Sequence, residues 1–212
     1  MVELVVAVLL GAMIMLSFAA IYANSYKFYR SAVQGNMRQS GMLMAVLTMS
    51  RDLEKTTYLF RPDRPCGGGT CASVNPSVGD VLEGCTNYDP VVNPGGTMSP
   101  DVANYPMRIF NYCVDAAGVL WYTFLDSPAP ATCLSPPSVT CGTAIAGGTV
   151  MRLADNVVRS PFRSGTCTPD AAQRFFCRPN FTNNVVEMNF VVSGSTVSTS
   201  VAMSMPVLWP SP

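Results

Sequence analysis

The chain contains no histidine, which removes the commonest general base, the commonest zinc ligand and the usual proximal ligand of haem. Cys-His and Ser-His-Asp catalysis are excluded with it. Charge is scarce as well: 13 basic and 13 acidic residues among 212 give 12% charged residues and a net charge of zero. A chain that holds nucleic acid or anionic lipid by bulk electrostatics carries a basic excess. The only basic concentration is Arg159, Arg163, Arg174 and Arg178. It reads as a solvated or salt-bridged surface, and no specific nucleic-acid partner is evident. No phosphate-loop, nucleophile-elbow or calcium-loop spacing occurs. The expectation is a protein that is not an enzyme, with no cofactor and no metal.

Proline is missing from Met1 to Arg61, and the only glycines of that stretch are Gly11, Gly35 and Gly41. What fills it is apolar. Between Leu4 and Tyr26 there is no charged residue, a length that as a helix reaches across a ~30 Å hydrocarbon core at about 1.5 Å per residue. No basic residue precedes this run, as one would in a cleavable secretory signal, so the segment is expected to be retained. Helical spacing continues beyond it through Tyr22, Tyr26, Tyr29 and Val33, then Met42, Val46, Met49 and Leu53. Residues 1–60 are therefore expected to form one helix about 90 Å long. Its second half, apolar nearly all round, has to be buried against something else.

Eight cysteines follow the helix: Cys66, Cys71, Cys85, Cys113, Cys133, Cys141, Cys167 and Cys177. None belongs to a C-x-x-C pair, and they lie among Gly- and Pro-rich stretches, which reads as disulfides formed in an oxidising compartment. Their pairing is open, although the Cys66 to Cys71 spacing permits a local bridge. Between Arg61 and Pro106 lie seven prolines, seven glycines and three cysteines, so a long stapled loop is expected there. Residues 107–125 read as a hairpin turning at Asp115 to Gly118, and a strand is expected near Thr149 to Leu153 with a break at Asp155 and Asn156. Val186, Met188, Phe190 and Val192 alternate with Glu187, Asn189 and Val191 before Ser193-Gly194, which makes a second hairpin with Val197 to Met203.

The run LVVAVLLGAMIML behind the acid Glu3, continued as a long amphipathic helix and followed by a Cys-bearing β domain, resembles the type IV pilins and type II secretion pseudopilins. PilW-like minor pilins and J-type pseudopilins are the nearest subgroup, since Gly11 falls where these often carry a glycine. In that family a peptidase removes a basic leader, the new N-terminus is methylated, and the acid is the fifth residue. Here it is the third, so either two residues are absent or processing differs. A removed leader also reconciles Lys27 and Arg30, which follow the apolar run, with disulfides on the far side.

The resemblance implies an α+β, pilin-like fold: a long N-terminal α-helix packed on an antiparallel β-sheet, with disulfide-rich loops. Residues 1–26 would enter the membrane or filament core, 27–60 would pack on the globular domain, and 61–212 would form that disulfide-bonded β-rich domain. The implied function is a structural subunit of a type IV pilus or pilus-like filament. Its implied partners are copies of itself, other pilins, the prepilin peptidase, the assembly machinery and, before assembly, the inner membrane. The implied location is the bacterial inner membrane and then the extracellular pilus. Glu3 would neutralise the N-terminal ammonium, at Met1, of an adjacent subunit. Gly11 is either a small residue at a helix contact or a point of helix unwinding in the filament. Two other readings stay open: a minor pilin or J-type pseudopilin at the tip of a secretion pseudopilus, and a singly membrane-anchored periplasmic or extracellular binding domain.

Overall fold

The computed structural model of the 212-residue chain describes residues 2–62, 77–97, 99–133, 139–159, 167, 174–178, 185–192 and 199–206. Helix α1 (Val2–Glu54) forms where proline is absent. Thr56 closes it: its N–H donates to the Leu53 carbonyl at 3.1 Å and its hydroxyl to the Asp52 carbonyl at 2.7 Å. These bonds satisfy acceptors that a helix end otherwise leaves open. Arg51 in the last turn suits the negative end of the helix dipole.

The chain divides into two compact units, Met1–Gln39 and Ser40–Pro212. In the first, the described side chains of α1 include Phe18, Ile21, Tyr22, Tyr26, Phe28 and Tyr29, all exposed. In the second, two five-stranded antiparallel sheets flank the end of the helix. Sheet 1 has the order β1-β3-β4-β5-β6, built from β1 (Tyr58–Arg61), β3 (Val81–Thr86), β4 (Met107–Val114), β5 (Leu120–Ser127) and β6 (Thr149–Ala154). Sheet 2 has the order β10-β9-β8-β2, built from β10 (Thr199–Pro206), β9 (Val185–Val192), β8 (Phe176–Arg178) and β2 (Ser77–Gly79), with β7 (Val157–Arg159) also paired to β9.

The core lies where Met42, Ala45, Met49 and Leu53, spaced on one face of α1, meet both sheets. Sheet 1 supplies Leu59, Leu82, Phe110, Tyr112, Leu120 and Tyr122, and sheet 2 supplies Phe176, Val186 and Met188. The opposite helix face, with Leu43, Met44 and Leu47, is exposed. Gly41 permits the closest approach of α1 to β6, because a Cβ there would stand 2.6 Å from the Leu153 carbonyl oxygen. The β4–β5 hairpin turns through Asp115 and Gly118, the latter at a φ of 74° that favours glycine. Asp115 accepts the N–H groups of Ala117 and Val119 and the Trp121 indole N–H, and the indole bond foremost holds its carboxyl below the usual range.

Among the described residues, three disulfides tie this unit: Cys85–Cys133, Cys113–Cys141 and Cys167–Cys177. Among the described cysteines none is free. Cys66 and Cys71 lie outside the described residues, as does the expected Ser193-Gly194 turn.

The expected architecture is corrected in several respects. A long helix packed on one antiparallel sheet is not what the chain forms. Among the described side chains the first of α1 in the core is Met42, residues up to Gln39 belong to a separate unit, and two sheets replace the one. The helix ends at Glu54, and Tyr58–Arg61 is a strand. Thr56 and Thr57 break the helix before any proline, since their hydroxyls compete for backbone partners. The stretch read as loop between Arg61 and Pro106 contains β3, a strand buried on both faces from Leu82 to Thr86, so no polar alternation marked it. The inner-membrane placement is also overturned: among the described residues no helix is long and apolar enough to cross a membrane.

Candidate functional site

Among the described residues two buried polar groupings stand out, one on each face of sheet 1. Alternation along the strands puts Leu82, Phe110, Tyr112, Tyr122 and Phe124 toward α1, and Glu83, Asn111 and Thr123 on the other face. The register aligns Arg61 with Glu83, Glu83 with Asn111, and Asn111 with Thr123. This makes a polar row across four strands.

Glu83 is 1% exposed, and Asn111 and Thr123 are also buried. The neighbouring cysteines of the same face carry the staples: Cys85 holds Cys133 and Cys113 holds Cys141. Residues 128–148 contain no charged side chain. Thr123 donates its hydroxyl to the Thr143 carbonyl at 3.2 Å. Glu83 Oε2 stands 3.5 Å from Arg61 Nε, but Oε1 of Glu83 and Oδ1 of Asn111 have no hydrogen-bond partner. Burial pushes the Glu83 carboxyl up to about 7, against smaller opposing effects of the Arg61 charge and the Asn111 amide.

On the inner face, Asp52 in the last turn of α1 is buried. Its Oδ2 accepts the hydroxyls of Tyr112 at 2.7 Å and Tyr122 at 2.8 Å, and these rings stack with centroids 4.5 Å apart. Arg108 Nη1 and Arg51 Nε stand 3.8 and 3.9 Å from Oδ1. Arg108 also forks onto Asp126, at 2.5 and 2.8 Å, and lies over the Phe124 ring. The Asp126 bond foremost raises its guanidinium further above its ordinary value. Burial and then the Asp52 charge push both tyrosine hydroxyls above their usual range, so they remain neutral donors. The arrangement fixes the end of α1 to sheet 1.

A cleft of about 400 Å³ opens beside this knot, lined among others by Arg51, Lys55, Asp89, Tyr105 and Arg108. Its charges pair internally, Lys55 with Asp89 at 3.5 Å and Arg108 with Asp126, which leaves no net pull on a charged ligand. Among the described residues no group of three or more Asp, Glu, Cys or His gathers as a metal site would require.

Of the residues singled out from sequence, Glu3 lies in α1, where only its backbone is described, and Met1 lies outside the described residues. Gly11 sits in helical backbone with nothing within 4 Å of where a Cβ would be. The expected surface cluster of arginines is corrected in part. Arg159 and Arg174 both pair with Asp80, at 3.0 and 2.6 Å, but Arg178 is 1% exposed, and Arg163 lies outside the described residues. Sequence reasoning missed Asp52, Glu83 and Asn111. The available signal was the run of aromatic residues at alternate positions of β4 and β5, whose tyrosine hydroxyls need an acceptor when buried. Comparison of the chain with protein-family models, with curated proteins and with solved structures returns no match.

Proposed function

We propose that the chain is a structural subunit of a pilus-like helical filament, assembled through its apolar N-terminal helix with copies of itself and related subunits. The observation that carries this reading is the exposed apolar surface of α1, where Phe28 is 78% exposed and Tyr22 75%, with Met15, Leu16 and Phe18 alongside. Burying one such side chain is worth roughly 1.5–3 kcal/mol. A helix that presents many of them, in a unit of its own, gains most of its stabilisation from helices of other subunits. Leu43, Met44 and Leu47 extend the same chemistry into the second unit, on the helix face turned away from the core.

Gly11 fits this reading. No neighbour within the chain forbids a side chain there, and in the assembly its small size serves a close helix contact or unwinding. Glu3 sets register: a carboxylate among apolar helices is costly unless it meets a cation, and a neighbour's N-terminal ammonium supplies one. The experiment is to isolate filaments from cells that make both normal chain and the Glu3→Gln variant and count each by mass spectrometry. Strong under-representation of the variant is expected, with its β unit still folded. Equal incorporation, or no chain in any filament, overturns the reading.

A further inference from the structure

The function proposed for α1 leaves the cleft beside the Asp52 knot unused. At about 400 Å³, it falls within the roughly 300–1,000 Å³ of clefts that hold small ligands. Its walls come from Arg51 to Lys55 at the end of α1, from the end of β3, the start of β4 and the end of β5. Arg51, Lys55 and Arg108 line it against Asp52, Asp89 and Asp126, so its charges cancel.

That balance narrows the ligand. A phosphate, a nucleotide or a fatty acid carries a charge that a neutral cleft does not hold. A purely apolar ligand would strip water from these charged groups and return no hydrogen bond. A peptide taken up as an added strand needs an unpaired strand edge. The strands in the walls supply none, because β3, β4 and β5 are each paired on both sides. What remains is an uncharged molecule dense in hydroxyl groups.

The polar groups are spaced for such a molecule. Lys55 Nζ stands 3.5 Å from Asp89 Oδ2, whereas a charge-assisted hydrogen bond closes to ~2.8 Å. An oxygen at the rim of this pair can accept from the ammonium and donate to the carboxylate, and a hydroxyl does both at once. Arg51, 60% exposed, comes no closer than 3.9 Å to Asp52, which leaves its donors for a ligand. Asp126, 54% exposed, takes the Arg108 fork and keeps lone pairs for a further donor.

Beside these groups stands an aromatic ring. Tyr105, 39% exposed, lines this cleft and also a second one of about 480 Å³, whose other walls are Val92, Asn93, Ala103, Pro128 and Pro130. A sugar ring has the matching two-sided chemistry: a face of C–H groups, which suits the negative face of an aromatic ring, and a rim of hydroxyls.

We infer that the two clefts sharing Tyr105 form a binding site for an uncharged oligosaccharide of two or more sugar rings. One ring rests its C–H face on Tyr105, and its hydroxyls bridge Lys55 and Asp89 and reach Arg51 and Asp126. The second cleft takes the next ring. The site is built from the second unit alone, so it stands whether or not the chain assembles.

The test is saturation-transfer NMR of the full, disulfide-intact chain in a zwitterionic detergent, which brings no sugar headgroup of its own. The probes are lactose, cellobiose, maltotriose, mannotriose and chitotriose, with sialyllactose as the charged counterpart of lactose and an uncharged Ser/Thr peptide as the peptide control. At least one neutral sugar should bind, with protons of one ring face receiving the most saturation, and sialyllactose should bind no better than lactose. Tyr105→Ala should weaken binding about tenfold, the worth of one aromatic contact. Arg51→Gln and Asp126→Asn should each weaken it about three- to tenfold, the worth of one hydrogen bond. Tyr105→Phe keeps the ring and should stay within about threefold of wild type, and Val158→Ala, on the exposed surface of β7, should change nothing. Arg51→Gln, at an exposed position, keeps the test decisive if Tyr105→Ala folds poorly. Failure of every neutral sugar to bind, binding of the peptide or of sialyllactose alone, or binding that survives both Tyr105→Ala and Arg51→Gln overturns the inference.

Discussion

Replacing Asp52 by alanine tests whether the end of α1 is held to sheet 1 by a polar knot or merely by apolar packing. The wild-type carboxylate accepts two buried tyrosine hydroxyls at 2.7 and 2.8 Å. Removing it leaves both hydroxyls without an acceptor in a site where neither reaches water. At about 1–3 kcal/mol for each of the two orphaned groups, the loss is about 2–6 kcal/mol. For a chain of this size each kcal/mol moves the midpoint by about 2–4 °C, so thermal unfolding should drop by roughly 4–24 °C. The assay is circular dichroism of the full, disulfide-intact chain, with all variants in the same mild detergent. The decisive comparison adds Tyr112→Phe and Tyr122→Phe to Asp52→Ala. If the hydroxyls are the cost, the triple variant should recover part of the loss, with a coupling of about 1–3 kcal/mol. Additive losses, or an Asp52→Ala cost under about 1 kcal/mol, would show that the knot is incidental to packing.

Gly41→Ala should destabilise the chain by about 1–3 kcal/mol, because the new methyl meets the Leu153 backbone oxygen rather than a side chain able to turn away; chemical denaturation measures it. Met49→Ala should cost about 2–5 kcal/mol in the same assay, since Met49 is fully buried. Leu47→Ala, on the exposed helix face, should leave unfolding within about 0.5 kcal/mol of wild type and yet lower the share of variant chain in mixed filaments.

Several features of the chain were legible before any fold was known. The helix was written in the absence of proline and in apolar spacing that persists from Tyr22 to Leu53, because helical periodicity is local. The β9 strand was equally plain, as alternation over Val186 to Val192 needs no partner to be seen. Disulfides followed from eight cysteines in loop-rich sequence without histidine, and three bridges are present. The pattern failed where burial is two-sided. In β3, Glu83 and Cys85 are as buried as Leu82, so hydropathy carries no period.

What the sequence determined by itself was therefore the set of local conformations and the covalent chemistry available to them: a proline-free apolar helix, alternating strands, and cysteines set in loop-rich sequence. Only the tertiary structure decided that Met42, Ala45, Met49 and Leu53 are the described helix residues that enter the core. It also decided that Asp52 meets two tyrosines 60 and 70 residues away, and that Glu83 lies beside Asn111. The physical reason is that burial and register are properties of pairs distant in sequence. A carboxylate's solvent and its hydrogen-bond partners come into being only when the strands that carry them are aligned.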